Sequence, residues 1–181
     1  MKIFVISGKA KSGKSTFAEL LKSGLIKKGY KPCIIRITNT LYSYAINYFG
    51  WDGSEETKPR KLLQEVGIEL IREKMNKRDF LLKRLFEDID ILKNFFDVFI
   101  IPDARLIDEF ENIKRKYDDV VLIKVERDKY DNKLSYEEAN HITEKEMDLY
   151  DEYDYIVKNE DCSSLRKKAS EIVSKIGGIY E

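Results

Sequence analysis

The chain has 181 residues, 43% hydrophobic and 12% aromatic, enough for one domain with a core and a small inserted region. Lys plus Arg and Asp plus Glu number 33 each, so the formal net charge is zero, which argues against general attraction to nucleic acid or an anionic membrane. No apolar run approaches the ~20 residues that cross a bilayer, Met1-Lys2 leads straight into a strand rather than a secretory leader, and Cys33 and Cys162 show neither metal spacing nor a disulfide framework, so the expected compartment is the cytoplasm.

The first element is KIFVIS, whose apolar run Ile3–Ile6 reads as a strand buried on both faces. It leads into GKAKSGKS, which fits Gly-x-x-x-x-Gly-Lys-Ser with Gly8, Gly13, Lys14 and Ser15 at the fixed places. Glycine lets backbone N–H groups approach phosphate oxygens, Lys14 brings a positive charge to the transferred phosphate, and Ser15 offers a hydroxyl to Mg²⁺. Phe17, Leu20 and Leu21 recur at helical spacing, so the helix N-terminus points at the same anion. The nucleotide-binding candidates are therefore Gly8, Lys11, Ser12, Gly13, Lys14, Ser15 and Thr16.

Gly29 ends that helix, and Cys33–Ile37 reads as a second strand with Cys33 as a buried thiol. Leu41, Tyr44, Ala45 and Tyr48 form the apolar side of a helix to about Phe49, with Tyr42, Tyr44, Tyr48 and Trp51 read chiefly as packing residues. A further helix runs from about Lys58 through Met75, with Pro59 in its first turn. On it Arg60, Gln64, Gly67 and Ile71 follow steps of four, three and four, hence one face. That face could read a small polar ligand or simply be a solvent-exposed stripe. Arg78-Asp79-Phe80 opens the next helix, with Leu81, Leu82, Leu85, Phe86 and Ile89 as its apolar side.

Asp97–Asp103 reads as a third strand ending in an acid. Asp103 can hold Mg²⁺ directly or through water, or cap the helix that follows. Arg105 can fork onto a phosphate or sit on a helix surface. Leu106–Lys116 is a helix, Val120–Val125 a fourth strand, Tyr155–Val157 a short fifth, and Leu165–Ile176 a final helix closed by Gly177-Gly178. Between them Arg127–Asp148 is polar and too long for an ordinary connection, as a lid would be. Its only histidine, His141, reads as a structural or capping residue.

Strands alternating with helices predict an α/β fold: a five-stranded parallel sheet with helices on both faces, one domain with a helical insertion at about 39–95 and a lid at about 127–148. Ligands gather at the carboxyl ends of such strands, where the Gly8–Ser15 loop, Asp103 and Arg127 all fall.

These motifs resemble the P-loop nucleoside monophosphate kinases, and most of all their deoxynucleoside monophosphate kinase group, known from phages and bacteria. The likeness rests on the P-loop, on RKLLQEVGIELIRE at Arg60–Glu73, PDARLIDEFENIK at Pro102–Lys114 and HITE at His141–Glu144. It implies a three-layer P-loop NTPase fold, ATP and Mg²⁺ as cofactors, and phosphoryl transfer to a (deoxy)nucleoside monophosphate. By the same resemblance Arg60, Gln64 and Arg72 would serve the acceptor, Asp103 and Arg105 would lie between acceptor and donor phosphates, and Arg127 would border the lid. Lys14, Asp103, Arg105 and Arg127 would then carry the catalysis. The implied partners are small nucleotides, with neither nucleic acid nor membrane, and a homodimer stays open. Ile68 stands where the family pattern has Thr, and Phe80 where it has Trp. Asp128–Lys145 holds no arginine, so either Lys129, Lys133 or Lys145 would take part of the work of lid arginines, or the lid would be less active. Other readings are a dephospho-coenzyme A or phosphomevalonate kinase, or a nucleotide-binding regulator without catalysis.

Overall fold

The computed structural model describes residues 1–128, 135–136 and 140–176. The chain forms two compact units, one made of Met1–Ile35 with the chain from Leu92 onward, the other of Arg36–Ile91.

The first unit is built on a parallel sheet. β1 (Lys2–Ser7), β2 (Pro32–Ile34), β3 (Val98–Ile101), β4 (Val120–Glu126) and β5 (Tyr155–Lys158) lie in the order β2-β3-β1-β4-β5. Ile3 pairs with Phe99 on one side and Val120 on the other. β1 and β3 are buried almost throughout, which is why their sequences are unbroken apolar runs rather than alternating ones. From β1 the chain moves to one side of the sheet, and from β3 it crosses to the other. The reversal puts a topological switch point at the carboxyl end of β1, where open α/β sheets bind ligands.

α1 (Lys14–Lys27) and α7 (Cys162–Ser174) cover one face. Phe17, Leu21 and Leu25 pack with Leu165, Ala169, Ile172 and Val173 on Phe4, Ile6, Ile100, Ile123 and Val125. Burying each large apolar side chain contributes about 1.5–3 kcal/mol. Strand alternation turns Ile3, Val5, Phe99, Ile101 and Leu122 to the opposite face, which α5 (Ile107–Lys116) covers with Phe110 and Ile113. Phe110 also meets the rings of Tyr150 and Tyr153, at 5.0 and 5.9 Å. Before them come α6 (Ile142–Lys145) and a 3₁₀ turn, Glu146–Leu149.

Strand lengths depart from the sequence expectation in two places. β2 stops at Ile34, and β3 stops at Ile101, so Asp103 lies in the turn beyond it. Cys33 is half-buried rather than buried, though desolvation still raises its thiol pKa against the pull of Lys22.

The second unit holds α2 (Asn39–Phe49), α3 (Arg60–Gln64, continuing as a π-helix over Glu65–Lys74) and α4 (Phe80–Leu92). α4 buries Leu82, Leu85 and Ile89, as its periodicity predicts. Trp51 is buried with its ring edge-on to Tyr42. Tyr48 was expected on the apolar side of α2 but is 76% exposed. Arg60, Gln64, Gly67 and Ile71 share one face only on α-helical turns, and the wider π turn ends that spacing after Gln64.

Candidate active site

The loop between β1 and α1 is shaped by close backbone approaches. Gly8 has φ 140°, and a Cβ there would lie 2.2 Å from the Val125 carbonyl oxygen. Gly13 has φ 105°, and a Cβ there would lie 2.5 Å from Asn159 Nδ2. Only glycine meets both demands, so the motif's two glycines have separate geometric reasons. Lys11 also sits in the left-handed region, at φ 59°, a conformation that costs a non-glycine residue about 1–2 kcal/mol.

No side chain caps α1, whose N-cap is Gly13. The partial positive charge of this helix N-terminus suits an anion. Lys14 opens the helix and is 8% exposed, with Nζ folded back over the loop to donate to Gly8 O at 2.7 Å and Lys9 O at 2.6 Å. Ser15 and Thr16 are exposed on the same turn. Ser12 is buried, and its Oγ has no hydrogen-bond partner among the described residues.

The turn after β3 brings in Asp103 and Arg105. Asp103 is half-buried, and its charge helps raise the pKa of Glu109. It is not at the N-cap position of α5, which Leu106 occupies. Instead Glu109 Oε2 accepts from the N–H groups of Arg105 at 2.7 Å and Leu106 at 3.0 Å, and Glu146 Oε1 accepts from Ile107 N–H at 2.9 Å. Arg105 therefore precedes the helix rather than lying on its surface. Its guanidinium donates to Thr143 O at 3.2 Å and pairs with the buried Glu144. The other oxygen of Glu144 accepts from the N–H of Ala10, inside the P-loop, at 2.9 Å.

The stretch carrying Glu144 is tied down at further points. His141 caps α6 by accepting from Thr143 N–H, as expected of it. Asp148 pairs with Lys9 at 2.8 Å and Lys124 at 3.2 Å. Burial pushes the Asp148 carboxyl up, but the two lysines outweigh that and hold it below its ordinary value. Met147 is fully buried and takes the Ser7 hydroxyl on its sulfur at 3.8 Å.

Arg127 follows β4, is exposed, and lies past the strand ends that carry the P-loop. Lys145 is exposed, whereas Lys129 and Lys133 lie outside the described residues, as do Gly177 and Gly178.

In the second unit Arg60 pairs with Glu55. Burial pushes the Glu55 carboxyl up, but Lys58 and Arg60 together hold it below its usual range. Gln64 is half-buried, and Arg72 donates to Arg78 O at 3.3 Å. A cavity of about 540 Å³ lies among α2, α3 and the start of α4, lined chiefly by Tyr44, Tyr48, Phe49, Phe80 and aliphatic side chains. Its one charged lining residue is Lys77, and Arg60, Gln64 and Arg72 do not line it.

Sequence reasoning missed the positioning residues. Asn159, in the turn after β5, donates from Nδ2 to Ser12 O at 2.8 Å and from its backbone to Glu126 O at 2.7 Å, bracing the P-loop against β4. Its signal was a polar residue at a strand's carboxyl end. Glu109 was legible as a Glu at the third helical position, where it can reach back to the N-cap.

As for Mg²⁺, no group of three or more His, Cys, Asp or Glu able to hold a metal occurs among the described residues. An exposed hydroxyl (Ser15) and a half-buried carboxylate (Asp103) are hard oxygen donors. Such a sparse set fits an ion held mainly by phosphates and water rather than by an all-protein cage. No helix among the described residues is long and apolar enough to cross a membrane.

A family model described as deoxynucleotide monophosphate kinase matches residues 36–169. No curated protein matches the chain. Among solved structures, Mycobacterium tuberculosis APS kinase in complex with AMPPNP and APS is similar at 14% identity, with a TM-score of 0.55, covering 96% of this chain and 95% of that one. Shikimate kinase of Aquifex aeolicus is similar at 16% identity, with a TM-score of 0.50, covering 96% of both chains. At such identities these two carry the fold, a parallel sheet with helices on both sides, and the family match carries the class. The chain belongs to the deoxynucleotide monophosphate kinase family, and so is a P-loop kinase that phosphorylates a small substrate.

Proposed function

We propose that the chain transfers the γ-phosphoryl group of ATP to a (deoxy)nucleoside monophosphate, giving ADP and the diphosphate. The observation that carries this reading is the pairing of an uncapped P-loop helix with Arg105, whose guanidinium is bound through Glu144 to the loop itself. Phosphoryl transfer needs positioning and positive charge more than covalent chemistry, and these residues offer both.

The amides of Lys9–Thr16 receive the donor phosphates. The Lys14 ammonium exchanges its two loop carbonyls for phosphate oxygens and follows the transferring group. Arg105 offers its remaining N–H groups to the phosphates between donor and acceptor. Ser15 and Asp103 would hold Mg²⁺, which when bound would neutralise negative charge on the phosphates. Arg60, Gln64 and Arg72 serve the acceptor and Arg127 borders the lid, as the family pattern implies.

The test is a coupled ADP-release assay with Mg²⁺-ATP and a panel of nucleoside and deoxynucleoside monophosphates, together with dephospho-coenzyme A and phosphomevalonate. Turnover on one or a few nucleotides is the expected result. Lys14→Met keeps the aliphatic stem and should lower kcat about 10³-fold or more with the fold intact. ATP-analogue binding without turnover on any nucleotide, or near-normal transfer by Lys14→Met, would refute the reading.

A further inference from the structure

Glu144 is a carboxylate only 7% exposed that neither binds nucleotide nor takes part in the transfer itself. A buried ion pair is a weak source of stability, because desolvating both charges offsets most of their attraction. Stability alone is therefore a poor account of it.

Its geometry offers a better one. Oε2 is fixed by the N–H of Ala10 at 2.9 Å, in a loop whose shape Gly8, Gly13 and Asn159 already set. Oε1 takes Nη1 of Arg105. The same Nη1 donates to Thr143 O, one residue before Glu144. The backbone of Arg105 is held separately by Glu109. One edge of the guanidinium is thus spoken for, while Nε–H and Nη2 have no protein acceptor among the described residues. The side chain keeps 19% exposure, and on the proposed reaction those donors serve the phosphates. A guanidinium with one edge anchored and the other open is set up to fork onto phosphate oxygens. The anchor is rigid in turn, because α6 is capped by His141 and followed by Glu146 on Ile107 N–H and by the fully buried Met147.

We propose that Glu144 is a positioning residue for phosphoryl transfer: it couples Arg105 to the P-loop backbone, so that the open edge of the guanidinium keeps a fixed place relative to the phosphates that loop binds. This rests on the phosphoryl-transfer reading above. Glutamate is required because its two oxygens reach two partners at once. Gln keeps the length but loses the charge, and Asp keeps the charge but is one methylene too short.

The experiment has two readouts on the full chain. The first is ¹⁵N NMR of the Arg105 guanidinium without substrate, assigned through Arg105→Lys. Wild type should show separate, slowly rotating Nη groups, and Glu144→Gln should merge them. The second is kinetic. Glu144→Gln should lower kcat/KM about 30- to 300-fold, while the Kd of a non-hydrolysable ATP analogue changes less than about threefold and thermal unfolding confirms the fold. Glu144→Asp should fall between. In an Arg105→Ala background Glu144→Gln should cost less than about threefold more, because the two act as a unit. An equal loss in both backgrounds, near-wild-type kinetics in Glu144→Gln, or an unchanged guanidinium signal would overturn the proposal. If wild type turns over no nucleotide, the substrate reading fails, and the NMR arm, with and without the ATP analogue, still decides whether Glu144 holds Arg105.

Discussion

Replacing Glu109 with Gln should remove a specific slope from the dependence of stability on pH. Glu109 is half-buried at the start of α5. Desolvation lifts its carboxyl from 4.5 to about 7; two backbone N–H bonds pull it down, and the charges of Asp103 and Asp108 push it up again. Below pH 4.5 the group is protonated in folded and unfolded chains alike, and its contribution is fully present. As pH rises towards 7 the unfolded chain releases the proton while the folded one keeps it, so stability falls; above 7 the loss levels off. Each pH unit between the two values is worth about 1.4 kcal/mol, so the whole loss is about 3 kcal/mol. Gln still offers an oxygen to the N–H groups of Arg105 and Leu106 but cannot ionise. Urea unfolding followed by far-UV circular dichroism at pH 4.5 and 8 should show wild type losing about 3 kcal/mol more than Glu109→Gln across that range. An equal change in both proteins, within about 0.5 kcal/mol, would mean that Glu109 titrates as an ordinary surface carboxylate, and the reasoning fails.

The P-loop supplies two further tests. Gly8→Ala drives a Cβ to 2.2 Å from the Val125 carbonyl oxygen at φ 140°, where the obstacle is backbone; the cost should be about 2–4 kcal/mol in thermal or urea unfolding. Gly13→Ala meets a side-chain amide that can swing away, so it should cost less while displacing Asn159 and weakening ATP-analogue binding in calorimetry; a larger loss for Gly13→Ala than for Gly8→Ala would contradict this. Asn159→Ala removes the donor to Ser12 O, at about 0.5–1.5 kcal/mol. The ATP-analogue Kd should rise about three- to tenfold, and an unchanged Kd would mean that the loop holds its shape without this brace.

The parts legible in the sequence were those where one residue type has one geometric use. Gly8, Gly13 and Lys14 were readable because strand, tight loop and helix follow in order, and the apolar runs gave all five strands within a few residues. The arrangement of partners was less accessible. HITE was recognised as a motif, but a linear pattern does not say that Glu144 reaches both Ala10, 134 residues away, and Arg105, 39 residues away. The π-helix over Glu65–Lys74 was invisible for a different reason: its sequence has the composition of an α-helix, and the choice of hydrogen-bond ladder lies with packing. Tyr48 shows the same limit from the other side, since helical spacing said which residues share a face but not how far that face is covered.

The arginine-poor segment Asp128–Lys145 changes meaning once the P-loop's surroundings are known. On the proposed reaction, charge spread over the oxygens of the transferring group must meet positive charge already in place. On that reading, part of the charge would come from residues that the structure already holds at the P-loop. Lys14 lies folded on the loop, the first turn of α1 is uncapped, and Arg105 is tied to the loop through Glu144. Charge held in this way costs little reorganisation at the moment of reaction, whereas a lid arginine contributes only after closure. The end of the 127–148 stretch binds the P-loop through Glu144 on Ala10 and Asp148 on Lys9, and the start of α5 through Glu146. These contacts make it part of the scaffold that carries the charges. On the proposed reading, the lack of arginine in Asp128–Lys145 is therefore compatible with a working kinase, because electrostatic stabilisation would fall to the fixed residues and a lid would serve to exclude water.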